Sequence, residues 1–379
     1  MAEEVKNTSG FGKMITRLVA LLNVIAGIAL IAAHFSSSVN PAKHWWLELF
    51  AISYPVWLVI NFAFMFFWII RLHRFILISF IAIAITFQSL RLFFQWHFSD
   101  DHASKHLKVM TYNVRLFDLY NWTGNLKTRA KIFDLLRDAN PDIVSFQEYF
   151  TRDEGPFHNT DSLRNLLKAE SNVAYGITLR KIDHWGLATF SKYPIIHKGI
   201  AFYEEGNTNF AIYTDIVVNK KDTIRIYNAH LQSNHFKDED TKFLQLADSL
   251  SGEEAMKRSE SILKGIRNAS IIRGWQADQL HAHIESSPYP VIVCGDFNDP
   301  PFSYAYHQVS KNLKDAYAEK GRGFGVSYSG AVPYFRIDYI LHDQKFDCTG
   351  YKKINSKLSD HFPITAEFVV RNEKKILNF

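Results

Sequence analysis

Cysteine is nearly absent from this chain, with 2 residues in 379. So few thiols exclude a disulfide-scaffolded secreted fold and a cysteine-rich zinc module, whose ligands come in paired spacings. The chain also lacks low-complexity segments, a repeat of one fixed period and any glycine-rich loop followed by Lys-Ser or Lys-Thr, so a P-loop is excluded as well. Charge of one sign does not dominate: 43 Lys and Arg stand against 38 Asp and Glu, and only 21% of residues are charged beside 31 Phe, 17 Tyr and 8 Trp. That composition excludes a disordered chain. What is present is enough apolar material for a full core and, by length, two or three domains. The mean hydropathy of −0.11 is that of an ordinary soluble protein, but it averages two unlike pieces.

The first piece is apolar. Met14–Ala33 is interrupted mainly by Arg17 and Asn23, Trp45–Ile70 holds a single charge, Glu48, with Pro55 and Asn61 inside, and Phe75–Phe94 carries Arg91 near its end. About 20 mostly apolar residues cross the ~30 Å hydrocarbon layer, and none of the three runs shows the one-sided polar stripe of a surface helix. A cleavable signal ending near Ala32-Ala33-His34 accounts for the first run alone, whereas two more follow. Three transmembrane helices are therefore expected, at about 14–33, 45–70 and 75–94. Trp45, Trp46, Tyr54 and Trp96 fall near their ends, where amphipathic rings favour the interface. Lys6, Lys13 and Arg17 precede the first span and Arg71 and Arg74 crowd the second loop, against Lys43 alone in the first. Basic residues mark the cytoplasmic side. The expectation is a multi-pass membrane protein whose C-terminal domain is extracytoplasmic, although Lys105 and Lys108 pull the other way.

A polar linker, residues 99–106, ends the anchor (1–98) and opens a domain over 107–379 of different texture. Short apolar strands are expected at 107–114, 142–148, 174–179, 186–190, 210–218, 223–229, 289–297, 334–342 and 363–370. Helical spacing of apolar residues covers 128–139, about 162–169 and a long region, 253–285. Strands and helices mixed through one region fit a single α/β domain of two packed sheets with helices outside. Cys294 and Cys348 fall in or beside strands and read as small buried residues.

Polar residues recur just past strand ends, where sites gather in α/β proteins. Asn113 ends the first strand and Glu148 the second; His230 ends another; Asp296 and Asn298 follow VIVCG; Asp338 starts YIL; Asp360 and His361 precede PITAEF. Each alone reads as a cap, a turn or a structural histidine. Together they supply carboxylates, carboxamides and imidazoles without a thiolate, a donor set suited to Mg2+ or Mn2+.

The segments MTYNVRLF, DIVSFQEYF, GLATFSKYPI, IYNAHLQS, YPVIVCGDFNDPP, RIDYILHD and LSDHFPI stand in this order between Met110 and Ile364. In that order they resemble the endonuclease/exonuclease/phosphatase superfamily of deoxyribonuclease-like phosphoesterases. The resemblance implies a four-layer α/β sandwich of two packed mixed sheets, here preceded by an all-α transmembrane region of about three helices. It implies that Glu148 is the main metal ligand, with Asn113 and Asp360 completing or orienting the metal site. Asp338 and His361 would form a carboxylate–imidazole pair, Asp296 would position the attacking water, and Asn298 would hold a phosphate oxygen. His230 would bind the phosphate or protonate the leaving oxygen, and Arg115 is a further candidate phosphate contact.

The implied activity is Mg2+-dependent hydrolysis of phosphoester bonds, with Mn2+ as the alternative metal. Two substrate classes remain: nucleic acid, cleaved by a nuclease-like phosphodiesterase, and a phospholipid headgroup, with a lipid bilayer as the partner in either case. A tethered, non-catalytic binding domain is the weakest alternative, because the constellation is complete. Residues 1–99 carry 7 Lys/Arg and 3 Asp/Glu, leaving 36 and 35 for the rest. The α/β domain is thus near neutral and offers no general support for non-specific nucleic-acid binding.

Overall fold

In the computed structural model, residues 10–97, 106–219, 222–234, 252–330 and 335–371 are described. The expected linker lies outside them except for His106, as do Lys6 and Lys105.

The N-terminal part is helical: α1 (Gly10–Ser36), α2 (Pro41–His44), α3 (Leu47–Ile52), α4 (Tyr54–Ile70), α5 (Ile76–Ile85) and α6 (Phe87–Phe93). The three expected spans are not three continuous helices. The run 45–70 breaks at Ser53, because Pro55 has no N–H to continue the ladder and its ring clashes with the preceding turn; this leaves α4 only 17 residues. The run 75–94 bends by 70° between α5 and α6. Among the described residues one helix, over Gly12–Ser36, is long and apolar enough to cross a membrane alone, or two spans if the bent pair counts as one.

β1 (Gln95–Trp96) leads out of the helices, and β2 (Leu107–Asn113) opens the sandwich. Then come α7 (Thr128–Ala139), β3 (Ile143–Arg152), α8 (Asn159–Leu167), β4 (Glu170–Leu179), β5 (Asp183–Ser191), β6 (Ile195–Phe202), β7 (Ala211–Val217), β8 (Thr223–His230) and the long α9 (Gly252–Glu285). β9 (Val291–Asp296), α10 (Tyr304–Val309), β10 (Lys314–Asp315), α11 (Ala316–Lys320), β11 (Arg322–Gly323), β12 (Asp338–His342), β13 (Phe346–Lys353) and β14 (Ile364–Val370) complete it. Two six-stranded mixed sheets result, ordered β13-β14-β2-β3-β5-β4 and β10-β12-β9-β8-β7-β6. The sequence reading passes over β6 and β13. Both are edge strands, whose exposed residues weaken the apolar run that marks a buried strand.

Strand alternation decides which residues meet. Val109 of β2, Ile224 and Ile226 of β8, Ile292 and Cys294 of β9 and Ile340 of β12 form the core between the sheets. Met110 and Tyr112 turn outward beneath α7 and α8, and Tyr227, Val291, Val293 and Tyr339 turn outward beneath α9 and α10. With a period of two, the inward parity continues to Asn113, Asn228, His230, Asp296 and Asp338, so the polar ends of these strands converge between the sheets. Cys294 and Cys348 are buried and unpaired.

Candidate active site

The parallel pairing of β8 with β9 sets His230 directly beside Asp296, and antiparallel β12 sets Asp338 opposite the same residue. Gly295 permits the approach: a Cβ there would lie 2.1 Å from the Ala229 carbonyl oxygen. The result is a buried polar group: Asp296, Asp338 and His361 place ligand atoms within 4.8 Å of one another.

His361 donates from Nδ1 to Asp338 Oδ2 at 2.9 Å, and its Nε2 lies 3.6 Å from Asp296 Oδ2. Burial alone would lower the His361 pKa, but the Asp338 and Asp296 carboxylates outweigh it and hold the ring well above 6.5. The two carboxylates thus favour the imidazolium form of His361, and the Asp338 hydrogen bond fixes its orientation. Ser327 Oγ accepts the Ile337 and Asp338 amides, and Ser359 Oγ accepts the His361 amide while donating to the Asn113 carbonyl. These serines lock the pair in place.

His230 is oriented from behind. The side-chain nitrogen of Asn209 donates to Leu231 O at 2.9 Å and faces His230 Nδ1 at 3.3 Å. Because that nitrogen is a donor, Nδ1 accepts, and the ring proton sits on Nε2. Nε2 points into the site, 3.7 Å from Asp296 Oδ2 and 4.0 Å from Glu148 Oε1, without a hydrogen-bond partner among the described residues.

Glu148 arrives by a different route. The β3–β5 register shifts between Phe146 and Tyr149, and Glu148 has φ +47°. A bulge with left-handed backbone re-aims a side chain that plain alternation would send outward. Its Oε1 accepts from Asn113 Nδ2 at 3.1 Å, and the same amide reaches Asp296 Oδ2 at 3.0 Å. Asn113 Oδ1 accepts the Arg115 amide, so the carboxamide holds two carboxylates in place. Asn298, also left-handed at φ +53°, ties Nδ2 to Leu231 O, while its amide donates to Asp296 Oδ1. Asp360 lies 3.5 Å from Arg115 Nε. Every site residue named from the sequence is thus in one connected group.

Three supports were not read from the sequence. Gln147 bridges the sheets by donating to Asn228 Oδ1 at 2.7 Å, and Asn209 backs His230. Arg273 and Gln276 of α9 hold the Gln232 segment through its carbonyl and amide. Gln147 and Asn228 do leave a signal, as polar residues on the inward parity of their strands; Arg273 in a helix of mixed polarity leaves none.

As for a metal, Glu148 fits best. Its carboxylate is partly exposed, accepts from the Asn113 carboxamide and, among the described residues, has no lysine or arginine paired with it. In the Asp296–Asp338–His361 group, which could also supply ligand atoms, the two carboxylates already face the His361 ring. A second group, Glu319, His342 and Cys348, lies at the other end of β12, where Lys314 already pairs with Glu319 at 2.9 Å.

Two mixed sheets face to face, with helices outside and carboxylates and imidazoles gathered at one end of the inter-sheet core, make an α/β sandwich of the endonuclease/exonuclease/phosphatase type. The chain belongs to the endonuclease/exonuclease/phosphatase family, whose profile matches residues 110–361. Members of this family generally hydrolyse phosphoester bonds. Residues 16–93 match a separate family described only as a domain of unknown function (DUF8431). Among solved structures, the chain is similar to an endonuclease/exonuclease/phosphatase from Beutenbergia cavernae (16% identity, 70% of this chain and 72% of that one, TM-score 0.49). It is also similar to the human Nocturnin catalytic domain with bound sulfate (16% identity, 70% and 95%, TM-score 0.48), and to Staphylococcus aureus beta toxin (18% identity, 69% and 99%, TM-score 0.42). No curated protein matches.

Proposed function

We propose that the protein is a membrane-anchored, divalent-metal-dependent phosphoester hydrolase, a nuclease-like phosphodiesterase with its catalytic domain outside the cytoplasm. The observation that carries the reading is the single group in which the Nε2 atoms of His230 and His361 face the Asp296 carboxylate, with Asn298 and Glu148 beside it. Phosphoesters are anionic, so an attacking oxygen is repelled unless fixed positive charge faces the phosphoryl oxygens. His361, charged and pinned by Asp338, supplies one such charge. His230 offers an Nε2 proton to a phosphate or leaving oxygen, Asn298 and Arg115 contact phosphate oxygens, and Asp296 receives the proton of the attacking water. Glu148 and Asp360 would hold Mg2+ or Mn2+, with Asn113 orienting Glu148; when bound, the metal neutralises phosphoryl charge.

The anchor is supported by an inside-out helical unit. Asn23, Asn61 and Ser79 are fully buried, whereas Ile28, Val59, Phe66 and Phe80 are each more than half exposed. Asn23 donates to Ser79 at 2.7 Å and accepts from Trp68 at 2.9 Å, and Asn61 donates to the Ala26 carbonyl. Polar groups inside and apolar side chains outside suit lipid as the surrounding solvent. The near-neutral catalytic domain and its attachment to this unit favour a phospholipid headgroup as the second substrate reading.

The test is turnover by the purified chain, with and without Mg2+, of single- and double-stranded DNA, phosphoinositides, sphingomyelin and bis(4-nitrophenyl) phosphate. Metal-dependent cleavage is expected, with losses of about 10²- to 10⁴-fold in His361→Ala and Asp338→Asn. Near-normal turnover by a folded His361→Ala protein overturns the assignment. Cleavage confined to lipids selects the second reading.

A further inference from the structure

The segment that carries Asp296 and Asn298 does not end in the sandwich. Phe302, only four residues beyond Asn298, is buried among Leu30, Ala51, Tyr54, Leu58 and Ala82 of the helical unit. Its ring stacks on Tyr54 with centroids 4.0 Å apart. Ser36 Oγ reaches the Phe302 carbonyl at 3.4 Å, and the Tyr304 amide donates to Glu48 Oε1 at 3.3 Å. Four residues span at most about 14 Å, so the helices grip the chain within that reach of the site.

A second line runs from the same place. Asp299 pairs with Arg273 at 2.9 Å, both essentially inaccessible to solvent. Glu48, also buried, lies close enough to interact electrostatically with both. Arg273 then donates to the Gln232 carbonyl at 2.9 Å, two residues beyond His230. The Arg273–Asp299 pair stays in place only while both partners remain, since removing one leaves an uncompensated buried charge; Glu48 adds to its surroundings from the helical unit.

We infer that the helical unit is a structural part of the active site rather than a tether: Glu48 and Tyr54, acting on Phe302, Asp299 and Arg273, hold the segments that present Asn298 and His230. This deepens the hydrolase reading and rests on it for the kinetic part of its test. Glu48, Phe302 and Arg273 are positioning residues, since none faces the group formed by His230, His361 and Asp296. A tether would leave the 297–304 segment shaped by the sandwich alone. Here its apolar anchor, Phe302, sits in the core of the helices.

The experiment uses the full-length protein in detergent micelles, comparing wild type with Phe302→Ala, Phe302→Leu and Glu48→Gln. Glu48→Gln keeps an acceptor for the Tyr304 amide, removes the carboxyl group that interacts with Asp299 and Arg273 and is nearly isosteric, so it remains informative even if Phe302→Ala does not fold. Amide hydrogen exchange is expected to accelerate in 230–234 and 297–304 and not in β2, β3 or α7. With Mg2+ and bis(4-nitrophenyl) phosphate, kcat is expected to fall about 10²-fold in Phe302→Ala and about 3- to 30-fold in Glu48→Gln. KM stays nearly constant, and Phe302→Leu recovers most of the loss. Unchanged exchange in those segments overturns the inference, as does unchanged kcat in an active protein. A wild-type chain inert toward every phosphoester refutes the hydrolase reading instead, and the exchange data then decide this one alone.

Discussion

Glu319 shows how a single residue's surroundings become a pH dependence. Partial burial alone would raise its pKa, but His342 Nε2 at 3.0 Å and Lys314 Nζ at 2.9 Å outweigh it and hold the carboxyl near 2, against 4.5 in an unfolded chain. The folded value is the lower one, so the stabilisation is present in full above about pH 4.5 and is lost as the pH falls through about 2. Glu319→Gln removes it. The thermal midpoints of wild type and Glu319→Gln are expected to differ at pH 6 and to converge as the pH is lowered from 4.5 toward 2; a gap that does not vary with pH contradicts the linkage. The site residues differ in how far the sequence discloses them. Asn113, His230, Asp296 and Asp338 were legible because inward parity runs straight along each strand to its polar end. Glu148 was named by its motif, but its direction comes from a bulge that no alternation pattern predicts. Arg273 was illegible because its role depends on a carboxylate 26 residues later and on a helix from the other end of the chain.

Among the elements, α9 makes the contact with the helical unit that is most sensitive to size. Asn40 donates to Asp278 and to Tyr304 Oη, and the Arg267 guanidinium lies 5.9 Å from the Trp45 ring. Between them Gly274 faces Pro41, where a Cβ would come within 2.8 Å of the Pro41 ring. A proline ring has little freedom to move aside. Within a helix, Gly→Ala is ordinarily stabilising by about 1 kcal/mol, so the two effects oppose each other and can be separated. Gly274→Ala is expected to leave α9 more helical yet to speed hydrogen exchange and proteolysis at 40–46. Unchanged protection there means that α2 merely lies near α9 and is not docked on it. The helices expected at 128–139 and 253–285 appear nearly residue for residue, since apolar residues at helical spacing run along their buried faces, with Ser270, Arg273 and Gln276 the buried polar exceptions in α9. The spans were misjudged because hydropathy sums over a window and ignores that Pro55 and the bend at Thr86 interrupt the backbone ladder.

At the scale of the whole molecule, the helix ends sort into two sets. Ser36 at the end of α1, Tyr54 at the start of α4 and Phe93 at the end of α6 all meet the sandwich around Phe302. The start of α1 and the turn between α4 and α5 therefore lie at the far end, and that end carries Lys13, Arg17, Arg71 and Arg74. On the proposed spanning reading, basic residues are retained on the cytoplasmic face, which would put the α/β domain outside. The chain provides its own test. Cys294 and Cys348 are buried, so new cysteines report with little background, and Leu72 and Leu126 are 92% and 90% exposed on opposite sides of the expected bilayer. In intact cells whose outer barrier has been opened, a membrane-impermeant maleimide is expected to label Leu126→Cys at once and Leu72→Cys only after the inner bilayer is disrupted. The opposite order reverses the orientation. Equal labelling of both, in a protein that alkaline carbonate releases from membranes, removes the spanning reading and leaves the exposed Leu, Ile and Phe side chains of the helical unit to be covered by protein instead of lipid.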